Sequence, residues 1–217
     1  MVLFEILNAG GWMMYVILLM SVIALGLAFE RCAMLYGLTM LNADKLLKTV
    51  IDHVDQRDYA KALEACSITT AHPLPRVLKA GLERANCRDK EMEKAMEGEM
   101  LAAVPRMERG LGLLGFFGNA ATLLGLLGTI FGLIQAFQGV SAASAAARQE
   151  VLAAGISVAM YTTAFGILAA IPVLFFHTIL SARSERILTE MEEGATRLTS
   201  ALAGRPRELP TARRGAA

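Results

Sequence analysis

Charge is what long parts of this chain lack. Between Gly110 and Ala182 the only Asp, Glu, Lys or Arg residues are Arg148 and Glu150, and before Phe29 the only one is Glu5. A disordered chain, a collagen and a nucleic-acid-binding arm all need a different balance, so these classes are excluded. A soluble enzyme of this length could bury a core without uncharged runs this long. Cysteine is scarce: Cys32, Cys66 and Cys87 form an odd set without a C-x-x-C pair, which reads as reduced thiols without function. His53, His72 and His177 are scattered and share no metal-ligand spacing. There is no G-x-S-x-G, Walker loop or H-E-x-x-H. The glycine-rich stretch Gly110–Gly118 lies in an apolar run with neither a lysine nor a preceding strand, so it is no phosphate loop. Neither an enzyme nor a bound cofactor or metal is expected.

What is present is hydrophobic. Apolar residues make up 55% of the chain and charged ones 19%, with a mean hydropathy of +0.47. Soluble domains run nearer about 45–50% and about 25%. Crossing a bilayer takes about 20 mostly apolar residues, and three segments qualify: Trp12 to Phe29, a second within Gly110 to Phe137, and a third within Val151 to Ile179. The first run has no positive n-region of a signal peptide and is expected to stay in the chain. Of the 21 Lys and Arg residues, 13 lie between Glu30 and Arg109, seven follow Ala182 and one is Arg148. The positive-inside rule then puts the amino terminus in the periplasm and the carboxyl terminus in the cytoplasm of a multi-pass inner-membrane protein.

These observations predict an all-α membrane protein with three transmembrane helices and long cytoplasmic helical extensions. Residues 1–30 form the amino-terminal segment and first span, and 31–109 a cytoplasmic helical domain. Residues 110–137 are the second span, 138–150 a short periplasmic loop, 151–182 the third span, and 183–217 a cytoplasmic helix with a disordered tail. In the cytoplasmic segment Leu46, Leu47, Val50, Ile51 and Val54 recur at helical spacing. Asp58 is placed to cap a helix over Tyr59–Cys66, the stretch 71–75 breaks it, and Pro105 is expected to bend or restart a later helix. Ile187, Met191 and Leu198 continue an apolar stripe beyond the third span, and no strand or internal repeat is expected.

The informative residues are small or polar ones inside the later spans. Gly118, Ala121, Gly125, Gly128 and Gly132 recur every three or four residues in the second; Gly155, Ala159, Gly166 and Ala170 do so in the third. Such stripes let helix backbones approach closely and usually signal only tight helix packing, but two in one antiparallel hairpin also suggest a bundle packed against further copies or a partner. Asn119, Thr122, Thr129 and Gln135 add polarity to the second span, and Thr162 and Thr163 to the third. By spacing, Thr129 and Thr163 fall at comparable depth, about 12 Å from the outer end. Each hydroxyl can equally bond the carbonyl one turn back on its own helix, and spacing leaves the two readings even. Pro172 is expected to kink the third span. No Asp, Glu, Lys or Arg lies deep in any span, so an ion crossing here would need a carboxylate from another chain.

Gly118-Asn119-Ala120-Ala121-Thr122-Leu123-Leu124-Gly125-Leu126-Leu127-Gly128-Thr129-Ile130-Phe131-Gly132, followed across the hairpin by Thr163-Ala164-Phe165-Gly166-Ile167-Leu168-Ala169-Ala170-Ile171-Pro172, resembles the MotA/TolQ/ExbB proton-channel family, most of all its three-span TolQ/ExbB branch. The resemblance implies a homopentameric ring around a dimer of a single-span TolR/ExbD-like protein with an Asp in its membrane helix. It implies an ion pathway past Thr129 and Thr163, with Thr162 and Thr122 beside it, and packing through Gly125, Gly128, Gly132, Gly155, Gly166 and Pro172. The implied role is the stator-like subunit of an ion-driven motor doing work on the cell envelope. The translocated ion is a proton, with sodium as the alternative. The family's Glu five residues before the third-span threonine is Val158 here, and its loss favours the competing reading of a non-conducting membrane scaffold. The partners expected are thus the bilayer, further copies and the single-span protein, and not a nucleic acid.

Overall fold

The computed structural model describes residues 11–37, 42–67 and 72–203, and these are helical, with no strand among them. Helices α1 (Trp12–Gly37), α2 (Ala43–Asp55), α3 (Tyr59–Cys66), α4 (Leu74–Glu83), α5 (Asp89–Glu108), α6 (Leu111–Ala142) and α7 (Arg148–Ala203) follow one another along the chain. Three stretches, in α1, in Asp89–Ala142 and in α7, are long and apolar enough to cross a membrane. The amino-terminal run before residue 11 and the carboxyl-terminal tail expected to be disordered lie outside the described residues.

Helix ends differ from the expected span ends for a simple reason. Glu30 and Arg31 end the run that suits a bilayer, but backbone hydrogen bonding does not depend on side-chain polarity, and α1 continues to Gly37. Pro105 neither ends nor restarts its helix; it sits inside α5, and the break falls at Gly110, whose φ of +78° is left-handed. Glycine takes that conformation without the penalty a side chain would add. A methyl group there would also meet the Arg31 guanidinium at 2.9 Å. At the far end α6 runs on to Ala142, so only residues 143–147 connect it to α7.

The chain divides into two compact units, Met1–Ala33 with Gly110–Ser181 and Met34–Arg109 with Ala182–Ala217. In the first, the apolar unit, Ile17 of α1 is buried with Ala121 of α6 and Ala169 and Ala170 of α7. Trp12 meets Phe131 edge-on, with ring centroids 6.2 Å apart.

The second unit is a polar-surfaced bundle. Its core joins Leu46, Leu47, Val50 and Val54 of α2 to Leu74, Val77 and Leu78 of α4, Met92 and Met96 of α5, and Ile187, Met191 and Leu198 of α7. The Asn42 side chain caps α2 by accepting from the Lys45 N–H, and Asp58 caps α3 by accepting from the Lys61 N–H, each at 3.2 Å. His72 is buried at the entry to α4. Its Nδ1 accepts from the Leu74 N–H at 3.2 Å, and its Nε2 lies 3.3 Å from a Glu190 carboxylate oxygen of α7. Burial holds its pKa below the ordinary 6.5, although the Glu190 charge pulls the other way. Cys66 is buried in the same unit, and burial pushes its thiol up to about 11, so it is an unreactive core residue.

A glycine and threonine seam between α6 and α7

The two small-residue stripes face each other. A methyl group added to Gly166 would lie 2.7 Å from the Gly125 Cα and 2.8 Å from the Ala121 carbonyl oxygen. One on Gly132 would lie 3.0 Å from both the Ala159 Cβ and its backbone nitrogen, and one on Gly155 would overlap the Ala136 Cβ. Gly118 instead receives the Leu174 side chain. Backbone cannot step aside as a side chain can, so these positions fix how closely the helices approach. This is the tight helix packing that such stripes usually signal, with both stripes engaged inside one hairpin. Large side chains cover the outer faces instead, including the exposed Phe116, Leu123, Ile130 and Phe137 of α6 and Met160, Leu168, Ile171 and Phe175 of α7.

The threonines behave in two ways. Thr162 is buried against Gly128 and donates to the Ala159 carbonyl of its own helix at 2.8 Å. Thr129, half-buried, donates to Leu126 at 2.6 Å, and the exposed Thr122 makes a long 3.4 Å bond to Gly118. All three therefore bond one turn back on their own helix. Thr163 alone crosses the seam, donating to the Gly125 carbonyl of α6 at 3.1 Å. Gly128 faces Thr162 and Gly125 faces Gly166, so Thr163 lies between those two levels, about half a helical turn, roughly 3 Å, from the level of Thr129. Pro172 is half-buried within the unbroken α7.

Val158 lines a cavity of about 30 Å³ with Trp12, Gly128, Phe131, Gln135 and Thr162. That volume and its polar lining suit about one water molecule. Among the described residues no group of three His, Cys, Asp or Glu side chains is placed to hold a metal ion. Ala136 and Gly139 extend the seam toward the loop, against Gly155 and Val151. Their spacing after Gly132 continues the same pattern of small residues every three or four positions.

Comparison with known proteins bears on this seam. The model of the MotA/TolQ/ExbB proton channel family matches residues 69–193. The Synechocystis protein named ExbB-like 1 is 34% identical over 183 residues, which cover 82% of this chain and 70% of that one. The Vibrio cholerae biopolymer transport protein exbB1 is 46% identical over 83 residues, 38% of this chain and 36% of that one. The Tol-Pal system protein TolQ of Pseudomonas aeruginosa is 33% identical over 95 residues, 44% and 41% of the two chains.

Proposed function

Because the chain belongs to the MotA/TolQ/ExbB proton channel family, we propose that it is the stator-like subunit of an inner-membrane, ion-driven motor. In this reading five copies surround a dimer of a TolR/ExbD-like protein, and the partner's intramembrane Asp carries the proton past the seam. The observation that carries the proposal is the seam itself: hydroxyls of Thr129, Thr162 and Thr163 gather around glycines in spans, Gly110–Ala147 and Val151–Ala182, that hold no Asp, Glu, Lys or Arg.

The physics is consistent. A carboxylate facing only Leu and Val would cost a few kcal/mol or more in the bilayer. Hydroxyls and ordered water lower that cost, and protonation removes the charge for the dry part of the path. Each elementary charge crossing 100 mV releases about 2.3 kcal/mol, several times thermal energy and enough to bias a step between subunits. The work is done on the envelope, in import, integrity, gliding or secretion.

Val158 favours a second reading, a scaffold that conducts nothing and recruits an envelope assembly. One experiment separates them. The chain is reconstituted with its single-span partner in liposomes, and proton and sodium flux are measured under an imposed gradient, with particle imaging of the same sample. The motor reading expects a five-membered ring and a flux abolished when the partner's Asp becomes Asn. An assembled complex with no flux of either ion overturns it in favour of the scaffold.

A further inference from the structure

The polar unit contains a cavity of about 290 Å³ where the end of α1, the start of α4 and the end of α5 meet. Its apolar wall includes the buried Leu35 and Met107 together with Ala103. Three charged side chains complete it, Arg76, Arg106 and Glu99, all exposed. Among the described residues neither guanidinium forms an ion pair or a hydrogen bond. In the sequence, two of the cavity's helices lie close to the ends of apolar runs. Arg106 lies one helical turn before Gly110, where the long uncharged run begins, and Leu35 lies less than two helical turns beyond Phe29, where the first apolar run ends.

We propose that this cavity binds the headgroup of an anionic phospholipid. Two guanidinium forks can each hold a pair of phosphate oxygens, a geometry that lysine does not offer, and the apolar wall accepts the glycerol and the first acyl carbons. Glu99 sets the selectivity. With two cations and one carboxylate the rim carries a single net positive charge, which neutralises a phosphodiester monoanion but leaves one charge of a phosphate dianion uncompensated beside the Glu99 carboxylate. The Glu99 carboxylate also accepts a hydrogen bond from a headgroup hydroxyl, such as those of phosphatidylglycerol. The inference needs only a membrane-embedded chain and is independent of the ion-motor reading.

The test uses the full chain in nanodiscs of equal phosphatidylglycerol and phosphatidylcholine, extracted gently and weighed by native mass spectrometry. At least tenfold preferential retention of phosphatidylglycerol is expected, falling to parity in the R76Q/R106Q double variant. Both arginines are exposed, so this variant should keep native helicity, and K substitutions at the same positions should restore part of the preference. Millimolar inorganic phosphate should not displace the lipid from the native chain, but should compete in Glu99→Gln. Equal retention of the two lipids, or a double variant as selective as the native chain, overturns the proposal. Displacement of lipid by inorganic phosphate from the native chain overturns it in favour of a soluble-anion site.

Discussion

The Thr163 hydroxyl donates to the Gly125 carbonyl on the facing helix at 3.1 Å, while the neighbouring Thr162 hydroxyl turns back to Ala159. Adjacent threonines thus serve different ends, one tying two helices and one closing its own turn. The distinction separates structural from functional effects. Thr163→Val removes an interhelical bond, worth about 0.6 kcal/mol inside membranes, whereas Thr129→Val removes only a bond within α6. Thermal unfolding in detergent should therefore show a small loss for Thr163→Val and none for Thr129→Val. Under the proposed function both variants should still assemble yet lose most ion-coupled flux. Full flux in both would remove the threonines from the ion path.

Glycines of the two units should respond in opposite directions. Gly166→Ala drives a methyl group into the Gly125 and Ala121 backbone and should cost about 1–3 kcal/mol by overpacking. Gly98 lies in α5 with nothing within 4 Å of an added methyl group, so Gly98→Ala should stabilise its unit by about 0.4–1 kcal/mol through helix propensity and chain entropy. Denaturant titration of both variants against the native chain checks the signs.

The seam was legible because the 3.6-residue helix period shows directly in glycine spacing. What it packs against was not, since a small stripe serves an internal neighbour and a second copy equally well. His72 and Glu190 show the other limit. They lie more than a hundred positions apart in sequence, and neither sits in a recognisable motif. Only the folded bundle of α4 and α7 brings them to 3.3 Å. Asp58, whose role depends only on the following turn of chain, was readable.

His72 gives that bundle a pH dependence. Its folded pKa lies below the ordinary 6.5, chiefly through burial, so unfolding takes up a proton. Its contribution to stability is complete above pH 6.5 and is lost as pH falls from there toward the lowered folded value. Protonation at Nδ1 would also break the bond from the Leu74 N–H. Urea midpoints of the native chain should fall between pH 7 and 5, and His72→Gln should flatten that slope. An equal slope in the variant would assign the dependence to other groups.

Orientation can be read with cysteines of contrasting exposure. Cys66 is buried with its thiol raised to about 11, so it stays silent from either side of a membrane until the chain unfolds. Cys87 is exposed and is the useful reporter. With the loop outside, a cysteine replacing Ser144 should react with an impermeant maleimide added to intact cells, and Cys87 only after permeabilisation. The reverse pattern would invert the orientation argued from Lys and Arg.

The most exposed prediction concerns Val158. It borders the cavity of about 30 Å³ that also touches Gln135 and Thr162, and a glutamate there is larger than the space vacated by valine. If the partner's Asp is the sole carrier, the chain needs no carboxylate of its own, and Val158→Glu should not raise flux. It should lower flux severalfold, because a second carboxylate near the path either competes for the proton or, when ionised, repels the incoming Asp. Flux measured from pH 5 to 8 tells these apart: competition persists throughout, whereas repulsion disappears at the acid end as the new carboxyl takes up its proton. Sodium gradients run in parallel decide the ion. A Val158→Glu chain that conducts faster than the native one at every pH would show that the native seam lacks a group the path requires, and would turn the balance toward the scaffold.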